Sequence, residues 1–344
     1  MTAKKIYNIA IIGSGSIAKT HAKCINDLSN TKLIAVCTSS ESRIQQAEAN
    51  FNVPVYTDYN TLFNENLIDI VSICTQSGSH LESTRAAAQA GIHVLCEKPL
   101  EISVKRATAM IEACKTHNVK LSCVFQNRYA TDYKTVLEAI HKGWLGKLLM
   151  GNASINWNRS PEYYSESVWR GTLLGDGGAA LINQGIHTID LLINAMGAVH
   201  SVFGKTYTKM HNIEGEDLAH ALVNFKNGAI GTITAGTALY PGNPERLEIY
   251  GEHGTIILEG GKIIKWDIKN HDRNPKQTDL DASSGASDPL AIGHALHKTQ
   301  ISEFIKAISN NTQPEIDGEE GLKSLALIEG IYKSSTTHSE VIFS

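Results

Sequence analysis

Three stretches of this chain bring together residue types that could do chemistry. In Glu97-Lys98-Pro99 a carboxylate and an amine sit side by side after an apolar run, next to a proline that fixes the backbone. Asn183 and His187 stand four residues apart in a segment that reads, from Ala179, as an otherwise apolar helix, so they share one face. An imidazole, with a reference pKa of about 6.5, is a natural acid or base near neutral pH. An ammonium can orient a hydroxyl and steady negative charge developing on it, or take the proton itself where burial lowers its pKa. The third stretch is Gly13-Ser14-Gly15-Ser16-Ile17-Ala18. It follows the apolar run ending at Ile12 and opens a helical pattern with Ile17, Ala18, His21, Ala22 and Ile25 on one face. Glycines in such a turn let the backbone approach a pyrophosphate, and the helix N-terminus offers free N–H groups and the positive end of its dipole. Each stretch also has an ordinary reading: a solvated lysine, a histidine bonded within a core, a turn that binds nothing.

These side chains need a frame, and the first third of the chain supplies one. Apolar runs at 32–37, 53–56, 69–74, 93–96 and 120–125 alternate with helical patterns at 42–50, 79–90 and 103–116. Strands alternating with helices imply a doubly wound parallel sheet, which binds ligands at the carboxyl ends of its strands. The residues after each strand are therefore the cofactor candidates. Gly13, Ser14, Gly15, Ser16 and Ile17 follow the first strand, and Thr38, Ser39 and Arg43 the second. No acid stands at the end of the second strand, where an enzyme using NAD usually holds its ribose; hydroxyls and Arg43 would also accept the 2′-phosphate of NADP, so NAD or NADP is expected. Equally, Ser40 or Ser42 would cap the next helix and Arg43 would be solvated. Thr75, Ser77 and His80 follow the fourth strand, Glu97 and Lys98 the fifth, and Gln126 the sixth.

From Gln126 the periodicity changes. A helix at 133–142 ends in Gly143, and alternating segments at 149–159, 202–208, 218–225, 231–238, 247–250 and 255–266 read as antiparallel strands of one open sheet. A polar loop at 270–288, helices at 291–309 and 319–334 and a last short strand at 340–343 complete the chain. The expected fold class is α/β: a Rossmann-type domain over 1–125 and an α+β domain over 126–344. At 344 residues two domains are the natural expectation. The formal net charge of −4, with no basic run, argues against nucleic acid, and no apolar run is long enough to span a bilayer. The six cysteines contain no Cys-x-x-Cys pair and read as buried small hydrophobes in a cytoplasmic protein, without disulfides or a metal.

In order and in separate domains, Gly13-x-Gly15-x-x-Ala18, Glu97-Lys98-Pro99 and Asn183-x-x-x-His187 closely resemble the Gfo/Idh/MocA oxidoreductase family over nearly the whole chain. The resemblance implies a hydride transfer between a sugar or nucleotide-sugar secondary hydroxyl and a nicotinamide, with Lys98 and His187 beside the reacting hydroxyl. The family often has Asp where Asn183 stands; an amide cannot accept the proton as a carboxylate does, though it can hold a hydroxyl. Gln126-Asn127-Arg128-Tyr129, Asn156 through Tyr164, Ser167 through Thr172 and Tyr240-Pro241-Gly242-Asn243 are similar to the UDP-N-acetylglucosaminuronate 3-dehydrogenase branch. In this chain that branch's Gln-Ala-Ser-His reads Gln184-Gly185-Ile186-His187. Asn183, Arg170, Arg159, Tyr164 and Trp169 are the expected substrate contacts, arginine suiting a carboxylate or diphosphate. Dehydrogenases of free sugars, inositols or anhydrosugars and a glycosidase using NAD remain open alternatives. The resemblance further implies a homo-oligomer, a dimer or tetramer.

Overall fold

The computed structural model describes residues 5–271 and 294–343. In chain order the elements are β1 (Tyr7–Ile12), α1 (Ser16–Asn26), β2 (Thr31–Cys37), α2 (Ile44–Phe51), β3 (Val55–Tyr56), α3 (Tyr59–Glu65), β4 (Ile70–Ile73), α4 (His80–Gln89), β5 (His93–Cys96), α5 (Val104–Thr116) and β6 (Leu121–Cys123). There follow α6 (Thr131–His141), β7 (Leu148–Asn156), α7 (Pro161–Ser165), a π-helical turn (Ala180–Gly185), α8 (Ile186–Met196), β8 (Val199–Tyr207), β9 (Leu218–Phe225) and β10 (Ile230–Gly236). The last are β11 (Arg246–Gly251), β12 (Gly254–Glu259), β13 (Lys262–Ile268), α9 (Ala295–Ser309), α10 (Gly318–Thr337) and β14 (Val341–Ile342). They form two compact units: one takes the residues through Gln126 together with His294–Leu322, the other Asn127–Gly293 and the residues from Lys323.

In the first unit six strands run parallel in the order β3-β2-β1-β4-β5-β6, with β1 and β4 at the centre. Strands covered on both faces must be apolar nearly throughout, and Ile70–Ile73 is buried at every position. Ile9 and Ile11 of β1, Ala18 and Ile25 of α1, and Ile301, Phe304 and Ile305 of α9 share one core. Helix α9 thus belongs to this unit, whereas the sequence reading places it in the second domain. His294 at its start reaches Asp27 at 3.3 Å, and the Gln300 side-chain amide donates to the Cys123 carbonyl at 2.7 Å. An amphipathic helix shows in sequence that it has a face to bury, but not which sheet will bury it.

In the second unit eight strands run in the order β13-β12-β11-β7-β10-β9-β8-β14. All neighbours are antiparallel except β7 and β10, which pair in parallel from Met150–Ile230 to Asn156–Gly236. The long connection through α8 makes that exception possible, since parallel neighbours need a crossover. The segment expected as one strand at 255–266 is instead the hairpin of β12 and β13. Gly260 and Gly261, at φ +56° and +75°, make its two-residue turn, both φ positive as in a type I′ turn, whose twist matches that of the strands. Helices α3 and α7 have no counterpart in the sequence reading. The expected loop at 270–288 lies, beyond His271, outside the described residues, as do 291–293 of the expected penultimate helix.

Strand β9 alternates: Ala219, Ala221, Val223 and Phe225 are buried, and His220, Leu222 and Asn224 face out. Helix α8 packs on the neighbouring β7, where the side chains of Met196 and Leu192 fill the space above Gly151 so closely that an added Cβ would lie 2.6 Å from Met196. Behind α8 lies a buried ion pair. Arg128 Nε and Nη2 donate to Asp190 Oδ2 and Oδ1 at 2.8 and 2.6 Å, and Ser324 Oγ adds a third bond to Oδ1. Removing one partner of such a pair leaves an uncompensated buried charge. Arg128→Ala is therefore expected to lower unfolding stability by about 3–5 kcal/mol, read as a drop in the urea midpoint at an unchanged slope.

Candidate cofactor and active site

The turn after β1 is held by neighbouring strands. The Gly13 N–H donates to the Cys37 carbonyl at 2.8 Å, and the Cys74 N–H to the Ile12 carbonyl at 2.7 Å. Gly13 has φ +107°, and a Cβ on it would stand 2.4 Å from the Cys74 carbonyl oxygen, so no other residue fits. Gly15, by contrast, faces open space. It precedes α1 in an extended conformation, and no side chain caps the helix. The first N–H groups of α1 and the open space over Gly15 form the cradle a dinucleotide pyrophosphate requires. Beside it, Ser14 Oγ lies 2.9 Å from Oγ1 of the buried Thr38 at the end of β2. Ser39 and Arg43 are exposed on the turn that follows. Ser40 makes no side-chain cap there; its hydroxyl pairs with Ser42 at 3.0 Å.

At the other strand ends, Thr75 is half-buried and Ser77 buried. His80 is buried, with Nδ1 3.0 Å from the Pro99 carbonyl and Nε2 3.3 Å from that of Thr75. Burial holds its pKa below the usual imidazole value. Its nitrogens lie on chain carbonyls, so His80 stitches the loop after β4 to the loop after β5 rather than presenting a polar atom outward. Likewise Glu97 is buried against His21, whereas Lys98 beside it is half-buried. Gln126 is buried too, and its Oε1 has no hydrogen-bond partner: an orphaned acceptor just past the sixth strand, where a ligand amide or hydroxyl would satisfy it. Among the described residues one trio could offer three ligand atoms to a metal: His21, Glu97 and His297. Its His21–Glu97 contact of 2.9 Å is that of a shared proton; two ligands each about 2.1 Å from a zinc ion stand farther apart.

In the second unit the candidate helix opens as the π-helical turn and continues as α8. From Gly178 to Ile193 every residue is buried except Asn183 and His187, the two the sequence singles out. A π-turn widens the helix by one residue, and such insertions are frequent at functional sites. The Asn183 amide is fixed from both ends. Its Nδ2 donates to Asp176 Oδ1 at 2.5 Å, and its Oδ1 accepts from Gln184 Nε2 at 3.1 Å. Asp176 is buried and also accepts the Gly171 N–H. Where the family often has a carboxylate on the helix, this chain has an amide held by a carboxylate from the preceding loop.

Gln184 extends the network. Its Oε1 accepts from Arg159 Nε and Nη2 at 3.1 and 2.6 Å, and its Nε2 donates to Tyr163 Oη at 2.8 Å. Arg159 is buried over the Trp157 ring, and Tyr164 is buried with its hydroxyl on Thr237 Oγ1, so both brace the loop. Arg170 stacks over Tyr163 at 4.3 Å and, like Trp169, stays half-exposed. Glu216 is a residue the sequence reading missed. Its carboxylate accepts the Ala179 and Leu181 N–H groups at 3.2 and 2.7 Å and the Tyr332 hydroxyl at 3.0 Å. It thus anchors the start of the helix that carries Asn183 and His187, with burial pushing its pKa up to about 7. No local pattern marks it, because its partners lie over thirty residues away in either direction.

Residues 7–125 match the oxidoreductase family GFO/IDH/MocA, NAD-binding Rossmann fold, and residues 133–257 match the GFO/IDH/MocA C-terminal domain. The WlbA dehydrogenase of Bordetella pertussis, solved with NADH and UDP-GlcNAcA, is 30% identical, with 99% of each chain covered and a TM-score of 0.89. The Chromobacterium violaceum WlbA structure, with the same ligands, is 29% identical, covers 100% of this chain and 97% of its own, and has the same TM-score. A D-apiose dehydrogenase of Paraburkholderia graminis is 25% identical over 97% of this chain and 89% of its own. The chain belongs to the Gfo/Idh/MocA oxidoreductases, with an NAD-binding first domain, as its three motifs imply.

The two glycines of the turn should separate by variant. Gly13→Ala is expected to cost about 1–3 kcal/mol of stability or more, since the new Cβ meets backbone. Gly15→Ala should melt within a degree or two of the parent yet lose NADH binding in a fluorescence titration, since its Cβ occupies the space a pyrophosphate needs.

Proposed function

We propose that this protein is a dehydrogenase of a nucleotide sugar of the UDP-uronate type, oxidising the 3-hydroxyl with NAD. The observation that carries this is the pair Asn183 and His187, the two half-exposed residues between Gly178 and Ile193, in a chain alike over its whole length to two dehydrogenases solved with NADH and UDP-GlcNAcA. A bound nicotinamide supplies the acceptor for the hydride leaving the carbinol carbon. His187 takes the hydroxyl proton, its imidazole being suited to exchange at neutral pH. Lys98 orients a substrate hydroxyl and steadies its developing charge. Asn183, locked by Asp176 and Gln184, holds a neighbouring hydroxyl, and the half-exposed Arg170 and Trp169 meet the uronate or diphosphate. Arg159 and Tyr164 serve the same subsite by bracing its loop. Gly13 to Ile17, Thr38, Ser39, Thr75, Ser77 and Gln126 surround the dinucleotide, with Glu97 and His80 shaping its loops and Arg43 flanking the ribose. A free-sugar substrate is the second reading, favoured by the similarity to D-apiose dehydrogenase.

The outer face of the second unit's sheet is also functional in this reading. Phe203 and Leu222 are directly opposed on β8 and β9, and with Ile230 they lie exposed, at 40, 54 and 56%. A second copy of the chain would cover them, giving a homo-oligomer. The six free, buried cysteines suit a cytoplasmic setting, and among the described residues no helix is long and apolar enough to cross a membrane.

His187→Ala and Lys98→Met should each lower the rate of NADH formation by about 10²–10⁴-fold on a UDP-uronate, while NADH still binds. Near-full turnover by His187→Ala would remove it as the base, and turnover of free sugars but no UDP-sugar would select the second reading. For the outer face, Leu222→Asp should shift sedimentation toward smaller species; an unchanged profile rules this face out as the contact.

A further inference from the structure

Beneath the ends of β4 and β5 the first unit buries an ion pair that no step above uses. His21 of α1 is 0% exposed, Glu97 is 6% and His297 of α9 is 4%. His21 Nε2 donates to Glu97 Oε1 at 2.9 Å, and Nδ1 lies 2.7 Å from Ser72 Oγ on β4. The Ser72 hydroxyl lies in turn 3.5 Å from Cys74 Sγ. With that hydroxyl turned to the sulfur, both His21 nitrogens are donors, the pattern of an imidazolium. The His297 ring meets that of His21 edge-on at 5.6 Å. Burial disfavours the charge on His21, but the Cys74 sulfur and the Glu97 carboxylate more than offset it and carry its pKa up to about 10. Burial likewise opposes the Glu97 charge, and His21, His297 and Lys98 outweigh it, taking the carboxyl down to about 2.

A buried ion pair seldom stabilises more than well-packed apolar residues of the same volume would. What this one adds is orientation, for the second oxygen of Glu97 accepts the backbone N–H of Lys98 at 3.2 Å. We propose that His21 is a positioning residue for Lys98: its imidazolium fixes the Glu97 carboxylate, which in turn fixes the Lys98 backbone and leaves a charge-balanced pair beside the lysine. This rests on the role given to Lys98 above. Glutamine at 21 keeps a donor but no charge, so it leaves the Glu97 carboxylate unbalanced next to the ammonium.

Three measurements test the pair. First, ¹⁵N-histidine spectra of the whole protein should show one imidazole doubly protonated at pH 8 that vanishes in His21→Gln; a neutral ring there overturns the proposal without any need for a variant to fold. Second, His21→Gln should lower kcat on the order of 10–100-fold, the scale of a small misplacement, with KM and the NADH Kd within about twofold. Its alkaline pH limb should move up, and His21→Gln/Glu97→Gln should bring that limb back; an unmoved limb means a merely structural role and overturns the proposal. Third, His21 stabilises by holding a proton that the unfolded chain releases above about pH 6.5. The excess melting temperature of the parent over His21→Gln should therefore be full below pH 6.5 and fade as pH rises toward 10, and a flat difference counts against it. If Lys98→Met is nearly as active as the parent, the role of Lys98 fails instead; if Lys98→Met is dead and His21→Gln matches the parent, only the role of His21 fails.

Discussion

The closest constraint in the first unit is the approach of the β1–α1 turn to the carbonyl of Cys74. That contact allows no side chain at residue 13. It puts the start of α1 directly over the middle of the sheet, so α1 is aimed by the strand next door rather than by its own cap. Because α1 is aimed, His21, one turn further on, falls between β4 and the end of β5. The glycine that makes room for a phosphate and the histidine that reaches Glu97 are therefore set by one piece of backbone geometry. A looser turn would free the helix and, with it, both functions.

The second unit solves its positioning problem with buried polar atoms. A helix apolar on every side has nothing to fix its rotation, because any face packs nearly as well as another. Glu216 pins its first turn through two N–H groups, Arg128 holds Asp190 further along, and Asp176 and Gln184 hold Asn183. Each contact is directional in a way that hydrocarbon packing is not. The two accessible residues inherit their register from these bonds.

Much of this was legible in the sequence, for identifiable reasons. The parallel sheet followed from apolar runs alternating with helical patterns, and the phosphate turn from two glycines placed between a strand and a helix. Asn183 and His187 stood out because polar residues four apart are conspicuous on an apolar helix. What stayed hidden depends on distance along the chain. Nothing near residue 216 says that its carboxylate will meet Ala179, and nothing in 295–309 says which sheet the helix will cover. The Gly260-Gly261 turn was a local signal, a glycine pair between two apolar runs, that a long alternating segment masked. Arg159 and His80, expected from the sequence to touch substrate and cofactor, spend their polar atoms on neighbours within the fold, which no local pattern reveals.

All six cysteines fall between positions 24 and 123, in the first unit, and every one is free and buried. Burial alone lifts the Cys114 thiol to about 12, where it is a poor nucleophile. The chain therefore carries its own breathing gauge: an alkylating probe can label it only when the nucleotide-binding half opens, and it stays silent to any loosening of the cysteine-free half. Labelling kinetics with and without dinucleotide would then measure how much the ligand tightens one half of the molecule, with no foreign reporter attached.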